Sequence, residues 1–265
     1  MELKDLVANY KLLVATLRNV LSVFFIFFVF VIFFTYKEFK ISNFSIYYPY
    51  PDFFHSISIS FFLFIKNATL PHGLLLINVN PFDLIYVDVY SALALSIILS
   101  LPFTMYFAIS YISPALYKKE KKAILYMILP SILLFLLGAL FAFYIILPLL
   151  FKVVIVFATN FNVEPTMSVL GFFSLVVKII LLTGLSFEMP VVIVFLSYIN
   201  LVSPDTWLKN WRYAVVVSFF IALLVSPGAT GGLIETIIGI TLSTLYFAGA
   251  IISKFVYKNQ EIEKK

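Results

Sequence analysis

Residues 123–151 pass 29 positions without one charged side chain. Coiled as an α-helix at about 1.5 Å per residue, such a run exceeds the roughly 30 Å hydrocarbon thickness of a bilayer, which about 20 apolar residues cross. The pattern recurs: further apolar runs cover residues 19–36, 84–112, 167–199, 213–226 and 234–253. With 63% of 265 residues hydrophobic and 12% charged, the chain carries more apolar surface than a soluble core could bury. Lipid accepts that surface without penalty. The sequence predicts an all-α membrane protein in which residues 1–265 form a single polytopic domain of six transmembrane helices.

The fifth and sixth helices are expected to be short. Residues 213–226 as a helix reach only about 21 Å, so the bilayer thins around this pair or the pair is re-entrant. Pro227-Gly228-Ala229-Thr230-Gly231-Gly232 between the two runs has the composition of a tight turn. Orientation follows from lysine and arginine in the connections. Thirteen of them fall in the N-terminal segment, the second-to-third connection (Lys118, Lys119, Lys121, Lys122), the fourth-to-fifth connection and the tail, against four on the opposite side. Both termini are therefore expected in the cytoplasm, and the protein in the cell (cytoplasmic) membrane. The net charge of +5 follows this membrane asymmetry and does not indicate a nucleic-acid partner. The connection between the first two runs is the largest external piece. Residues 56–65 within it alternate like a strand before turning continuously apolar, and are expected to form cap or interfacial structure.

Catalysis finds little support, and no cofactor or metal is expected. His55 and His72 both lie in the external connection, cysteine is absent, and no catalytic or phosphate-binding motif is present. An enzyme is not the reading. Two acids carry the chemistry instead. Glu188 interrupts the fourth run, close to Phe187 and Pro190. A carboxylate at membrane depth costs about 2.5–3.5 kcal/mol on insertion scales, so it usually faces a groove, a partner helix or a water-filled cavity. The plainer alternative is a hydrogen-bonded staple between helices. Glu120 stands among four lysines in Pro114-Ala-Leu-Tyr117-Lys-Lys-Glu120-Lys-Lys122. Spacing alone leaves open whether it binds something or only relieves lysine repulsion on a solvated turn.

Leu101-Pro102, then Tyr111-Ile-Ser-Pro114-Ala-Leu116-Tyr117-Lys-Lys-Glu120, resembles the first cytoplasmic loop of the C subunit of the twin-arginine protein translocase, the TatC family. Phe135-Leu-Leu-Gly138-Ala-Leu-Phe141 through Pro148 is similar to that family's third helix, and Gly184-Leu-Ser-Phe187-Glu188-Met-Pro190 to its fourth. The second cytoplasmic loop is matched by Ser203-Pro204-Asp205. The resemblance implies a receptor for Arg-Arg signal peptides of folded precursors. It also implies assembly with small single-span subunits of the TatA and TatB type, self-association in a larger complex, and export driven by the proton-motive force. Carried over by position, Glu120 is the arginine-binding acid, with Tyr117, Leu116 and Tyr111 beside it. Glu188, Phe187 and Pro190 form the intramembrane contact on a concave groove beneath the external cap, and Pro102, Pro114 and Pro148 are structural.

Two positions depart from the family pattern. Thr16 stands before Leu17-Arg18 where many relatives carry a glutamate, and Gly228 follows Pro227 where the family has an acid. The competing class is a proton-coupled secondary transporter using Glu188 with Lys178. These two are ten residues apart, about 15 Å along one helix, too far to pair. No inverted repeat is visible either.

Overall fold

The computed structural model describes residues 3–41, 44–112, 118–226, 228 and 230–263; side chains within 3–9, 39–46, 108–110, 112–126 and 258–263 lie outside the description. It divides into two compact units, Met1–Ile112 with Thr166–Val177, and Ser113–Pro165 with Lys178–Lys265.

In the first unit, α1 (Leu3–Phe33) packs along α3 (Asp83–Ile112). Val31, Ile32 and Ala92 are buried at their seam with Phe28 and Val89 around them. The far side of α1 is bare. Leu13, Leu17, Leu21 and Phe25 recur at i, i+4 and stay exposed, the disposition of a helix whose other face meets lipid. Pro102 lies inside α3. Between the two helices come the antiparallel strands β1 (Phe34–Ile41) and β2 (Phe44–Pro51), then α2 (Ile57–Thr69).

The strand-like alternation of residues 56–65 is thus overruled by a helix. Ser56 caps α2, accepting from the Ile59 amide at 3.4 Å, and the Ser56 and Ser58 hydroxyls both turn to Asp88 of α3, at 3.5 and 2.5 Å. A carboxylate that gathers both hydroxyls holds the helix where alternation alone would have allowed a strand. The chain returns to this unit much later. Strand β4 (Thr166–Ser168) pairs in parallel with β3 (Leu75–Ile77), and Phe61 and Phe62 of α2 meet the Phe173 ring edge-on, at 6.5 and 5.2 Å.

In the second unit, α4 (Lys118–Phe141) continues through a π-helical turn (Ala142–Ile146) into α5 (Leu147–Asn160). Pro148 in the first turn of α5 explains the widening: it donates no amide hydrogen bond and its ring crowds the carbonyl four residues earlier, and one wider turn relieves both. The third apolar run therefore extends as helix to Asn160, beyond the expected end at residue 151. α6 (Val169–Ser186), which enters this unit at Lys178, and α7 (Met189–Tyr198) form the fourth run, broken at Phe187-Glu188. After α8 (Pro204–Lys209), α9 (Trp211–Val225) and α10 (Leu233–Glu263) complete the chain.

Among the described residues, five helical segments are long and apolar enough to cross a membrane, the last at Leu233–Tyr257. The remaining member of the six expected helices, α9, is apolar but shorter than these five. α9, at 15 residues, is short as expected, whereas α10 runs for 31 residues and is not. Its apolar part meets lipid length, and the polar continuation from Lys258 stays helical because lysine, glutamine and glutamate are good helix formers.

Close helix approach in this unit depends on glycine. A Cβ at Gly249 of α10 would stand 2.8 Å from the Pro190 Cα, a backbone atom with no rotamer to escape into. Gly249→Ala is expected to cost about 1–3 kcal/mol through overpacking, read as a lowered unfolding midpoint of the detergent-solubilised protein.

Candidate functional site

Proline dictates the break in the fourth run. Pro190 has no N–H to give the Ser186 carbonyl, so the helix tightens first: the Phe187 amide reaches Thr183 and Gly184 carbonyls (3.1 and 3.2 Å), and the Glu188 amide reaches Leu185 at 3.1 Å. The ladder resumes when the Val192 amide meets the Glu188 carbonyl at 3.1 Å. Glu188 therefore sits at the joint of two helices, the residue 7% exposed.

The motifs singled out in the third and fourth runs meet here. Ser131, Phe135 and Gly138 form an i, i+4, i+7 stripe on α4. The Phe135 ring lies over Gly184, where a Cβ would come within 2.8 Å, and Phe187 lies over Gly138, where a Cβ would come within 2.7 Å. Phe141 adds a second ring 5.6 Å from Phe187. At the end of this stripe the Ser131 hydroxyl donates to Glu188 Oε2 at 2.5 Å.

Among the described residues the apolar helices carry four buried or half-buried carboxylates, of which Asp83 takes the Asn80 amide and side-chain N–H at 3.3 Å each. Asp88 takes Ser56 and Ser58; Glu235 takes Ser226 on one oxygen and Thr230 on the other, both at 2.7 Å. Glu188 takes Ser131 alone. Its Oε1 is buried with no hydrogen-bond partner among the described residues. An orphaned buried acceptor costs about 1–3 kcal/mol, so it marks a place that another donor would improve.

Glu188 also borders a groove of about 740 Å³. One wall is Leu182, Leu185, Met189 and Val192 of α6 and α7; the other is Tyr213, Val217, Ile221 and Leu224 of α9. Tyr246 of α10 also lines it, and Thr206, Trp207 and Asn210 line it at and just after α8. That stretch is pinned: Trp207 Nε1 donates to Ser197 Oγ at 3.0 Å, and Tyr246 O–H donates to the Trp207 carbonyl at 2.7 Å. Leu185, Val192, Val217 and Leu224 are each half or more exposed along the groove. An apolar trough with one incompletely bonded carboxyl suits an apolar helix that carries a hydrogen-bond donor.

Of the residues expected to form the intramembrane contact, Glu188 borders the groove, whereas Phe187 and Pro190 are buried, against Gly138 and Gly249 respectively, and are not among the groove's lining residues. Glu120 lies in the first turn of α4, its side chain outside the description, and Tyr111 is half-buried in the last turn of α3. Leu116, Tyr117 and Pro114 lie outside the described residues. Sequence reasoning missed Ser131. Its only signal is a hydroxyl beside Pro130 in a long apolar run, 57 residues from its partner. It also missed Trp207 and Tyr246, which line the groove.

Comparison with known proteins agrees with the resemblance read from the loops and helices. The profile of the Sec-independent protein translocase protein (TatC) family matches residues 12–253. A TatC protein of Aquifex aeolicus (strain VF5) is 32% identical over 191 residues, 71% of this chain and 78% of that one. The TatC protein of Escherichia coli (strain K12) is 29% identical over 186 residues, 70% of this chain and 71% of its own. A crystal structure described as the twin-arginine translocase receptor TatC superposes with a TM-score of 0.74 at 26% identity, covering 94% of this chain and 99% of that one. With apolar helices to match, the chain belongs to the TatC family and is a multi-pass membrane subunit of the twin-arginine protein translocase.

Proposed function

We propose that this subunit is the receptor core of its translocase, binding Arg-Arg signal peptides through Glu120 at the cytoplasmic face and seating an apolar helix in the groove beside Glu188. The observation that carries the second part is the combination of an open apolar trough with the unpartnered Glu188 Oε1. A single-span partner subunit of the TatA or TatB type fits that trough if it brings one polar side chain to membrane depth. A guanidinium pairing bidentately with a carboxylate is the chemistry assigned to Glu120, with Tyr111, Leu116 and Tyr117 as its neighbours. Self-association of the chain in a larger complex belongs to the same reading. Photocrosslinking from Val192 and Val217, on opposite walls of the groove, tests it directly. Both positions are expected to capture the same single-span subunit, and capture from neither would sink the groove assignment.

The reading also requires an orientation: both termini and the lysines 118–122 in the cytoplasm, Tyr50, Lys66 and Glu164 outside. The chain has no cysteine of its own, so single substitutions label cleanly. Lys119→Cys is expected to react only with reagent supplied from the cytoplasm and Lys66→Cys only with reagent from outside. The reverse pattern at either position overturns the topology.

A further inference from the structure

Glu235 is buried in the first turn of α10, and the groove reading does not use it. Its two oxygens divide between two segments. Oε1 accepts from the Ser226 hydroxyl, just past the end of α9, and Oε2 from the Thr230 hydroxyl within the turn, each at 2.7 Å. The Ser226 oxygen in turn accepts from the Gly228 amide at 3.4 Å. Among the described residues, the other bonds at this turn are local to its two ends: the Ser226 amide donates to the Ala222 carbonyl at 3.0 Å, and the Thr236 amide and hydroxyl donate to the Gly232 carbonyl at 3.0 and 2.6 Å. Gly228, Gly231 and Gly232 adopt φ of +73°, +63° and +87°, conformations open to glycine and costly in backbone freedom. Its closing bond from the Leu233 amide to the Thr230 carbonyl is 3.4 Å long. Hydroxyl-to-carboxylate bonds are the stronger kind, and these two tie the end of α9 and the turn at Thr230 to α10.

We propose that Glu235 is a positioning residue: it clamps the turn of residues 226–232 and thereby fixes the end of α9 that lines the groove at Leu224 and Val225. The proposal rests on the groove reading above. Val225 immediately precedes Ser226, so freeing Ser226 frees the last turn of α9 while leaving the opposite wall at Met189 and Val192 in place. Glu235 has no contact with the seated helix in this scheme; it acts through the backbone of α9.

The test uses the full chain in lipid nanodiscs, with amide hydrogen exchange over residues 224–236 and photocrosslinking from positions 224 and 192. Glu235→Leu is expected to speed exchange of the turn on the order of tenfold and to cut crosslinking of a single-span partner from position 224 but not from 192. Glu235→Gln is expected to stay near the parent, since an amide accepts from one hydroxyl and donates to the other. Ser226→Ala and Thr230→Val keep the acid and remove one donor each. They are expected to give intermediate exchange and to add nothing to Glu235→Leu, which covers the case of a leucine variant that folds poorly. Unchanged exchange in all of these variants overturns the clamp, as does a Gln variant that exchanges like Leu. Faster exchange with crosslinks from 224 intact overturns the positioning role. Absence of crosslinks from both positions in the unaltered chain overturns the groove reading, and exchange alone then judges the clamp.

Discussion

Glu120→Gln is expected to weaken binding of an Arg-Arg signal peptide roughly ten- to a hundredfold while the protein stays inserted and abundant. The substitution keeps size and polarity and removes only the charge. A hydrogen bond to a charged group is worth about 1.5–3 kcal/mol, and each 1.4 kcal/mol is about tenfold in affinity. Stability should be indifferent, because Glu120 stands in the first turn of α4 among four lysines, about three helical turns before Ser131 and its bond to Glu188. The measurement is crosslinking of a purified precursor signal to membranes carrying each form. A Gln variant that crosslinks as the parent does would place the arginines elsewhere, with Asp5, Glu2 and Asp205 the acids to examine next.

Glu188→Leu is expected to loosen the docked single-span helix by about threefold to twentyfold, the equivalent of about 0.6–1.7 kcal/mol for an interhelical hydrogen bond in a membrane. Insertion should improve at the same time, since leucine is favoured and a carboxyl disfavoured at membrane depth. Ser131 loses its acceptor but can turn to the Met127 carbonyl four residues back in α4, as Ser91 and Ser96 do to their own i−4 carbonyls in α3, at 2.7 and 2.5 Å. Docking and stability should thus move in opposite directions, which a mere staple between helices would not do. Glu188→Gln retains both a donor and an acceptor and should keep most of the docking. Crosslinking from Val192, compared among parent, Gln and Leu, reads the effect; full crosslinking and export in the leucine form would reduce Glu188 to the staple.

The apolar runs were legible because lipid imposes a rule that a chain must obey continuously, and 123–151 obeys it without exception. Helix ends were not legible by that rule. Apolarity reports the stretch that meets lipid, while hydrogen bonding carries α1 back to Leu3 and α10 on to Glu263. Periodicity misled at residues 56–65, where the decisive interaction is Ser58 with Asp88, thirty residues away. At the site, Glu188 announced itself by its cost, and the Phe135–Gly138 and Gly184–Phe187 motifs were visible as separate patterns. That one fits into the other, and that Ser131 completes only half of the carboxylate, are facts of packing between helices. A single serine in an apolar helix gives no sign of which way it faces.

The late return of the chain to its first unit bears on biogenesis. Strand β3 and the Phe61–Phe62 edge of α2 are translated long before β4 and Phe173, which complete them. While residues 113–165 are being made, the cap helix has its Asp88 tether but neither its strand partner nor its aromatic cover. Contacts so far apart in sequence are slow to form because the intervening loop must close first. The covering of α2 is therefore complete only once residues 166–173 have been made, and a nascent chain arrested before residue 166 should leave α2 open to protease.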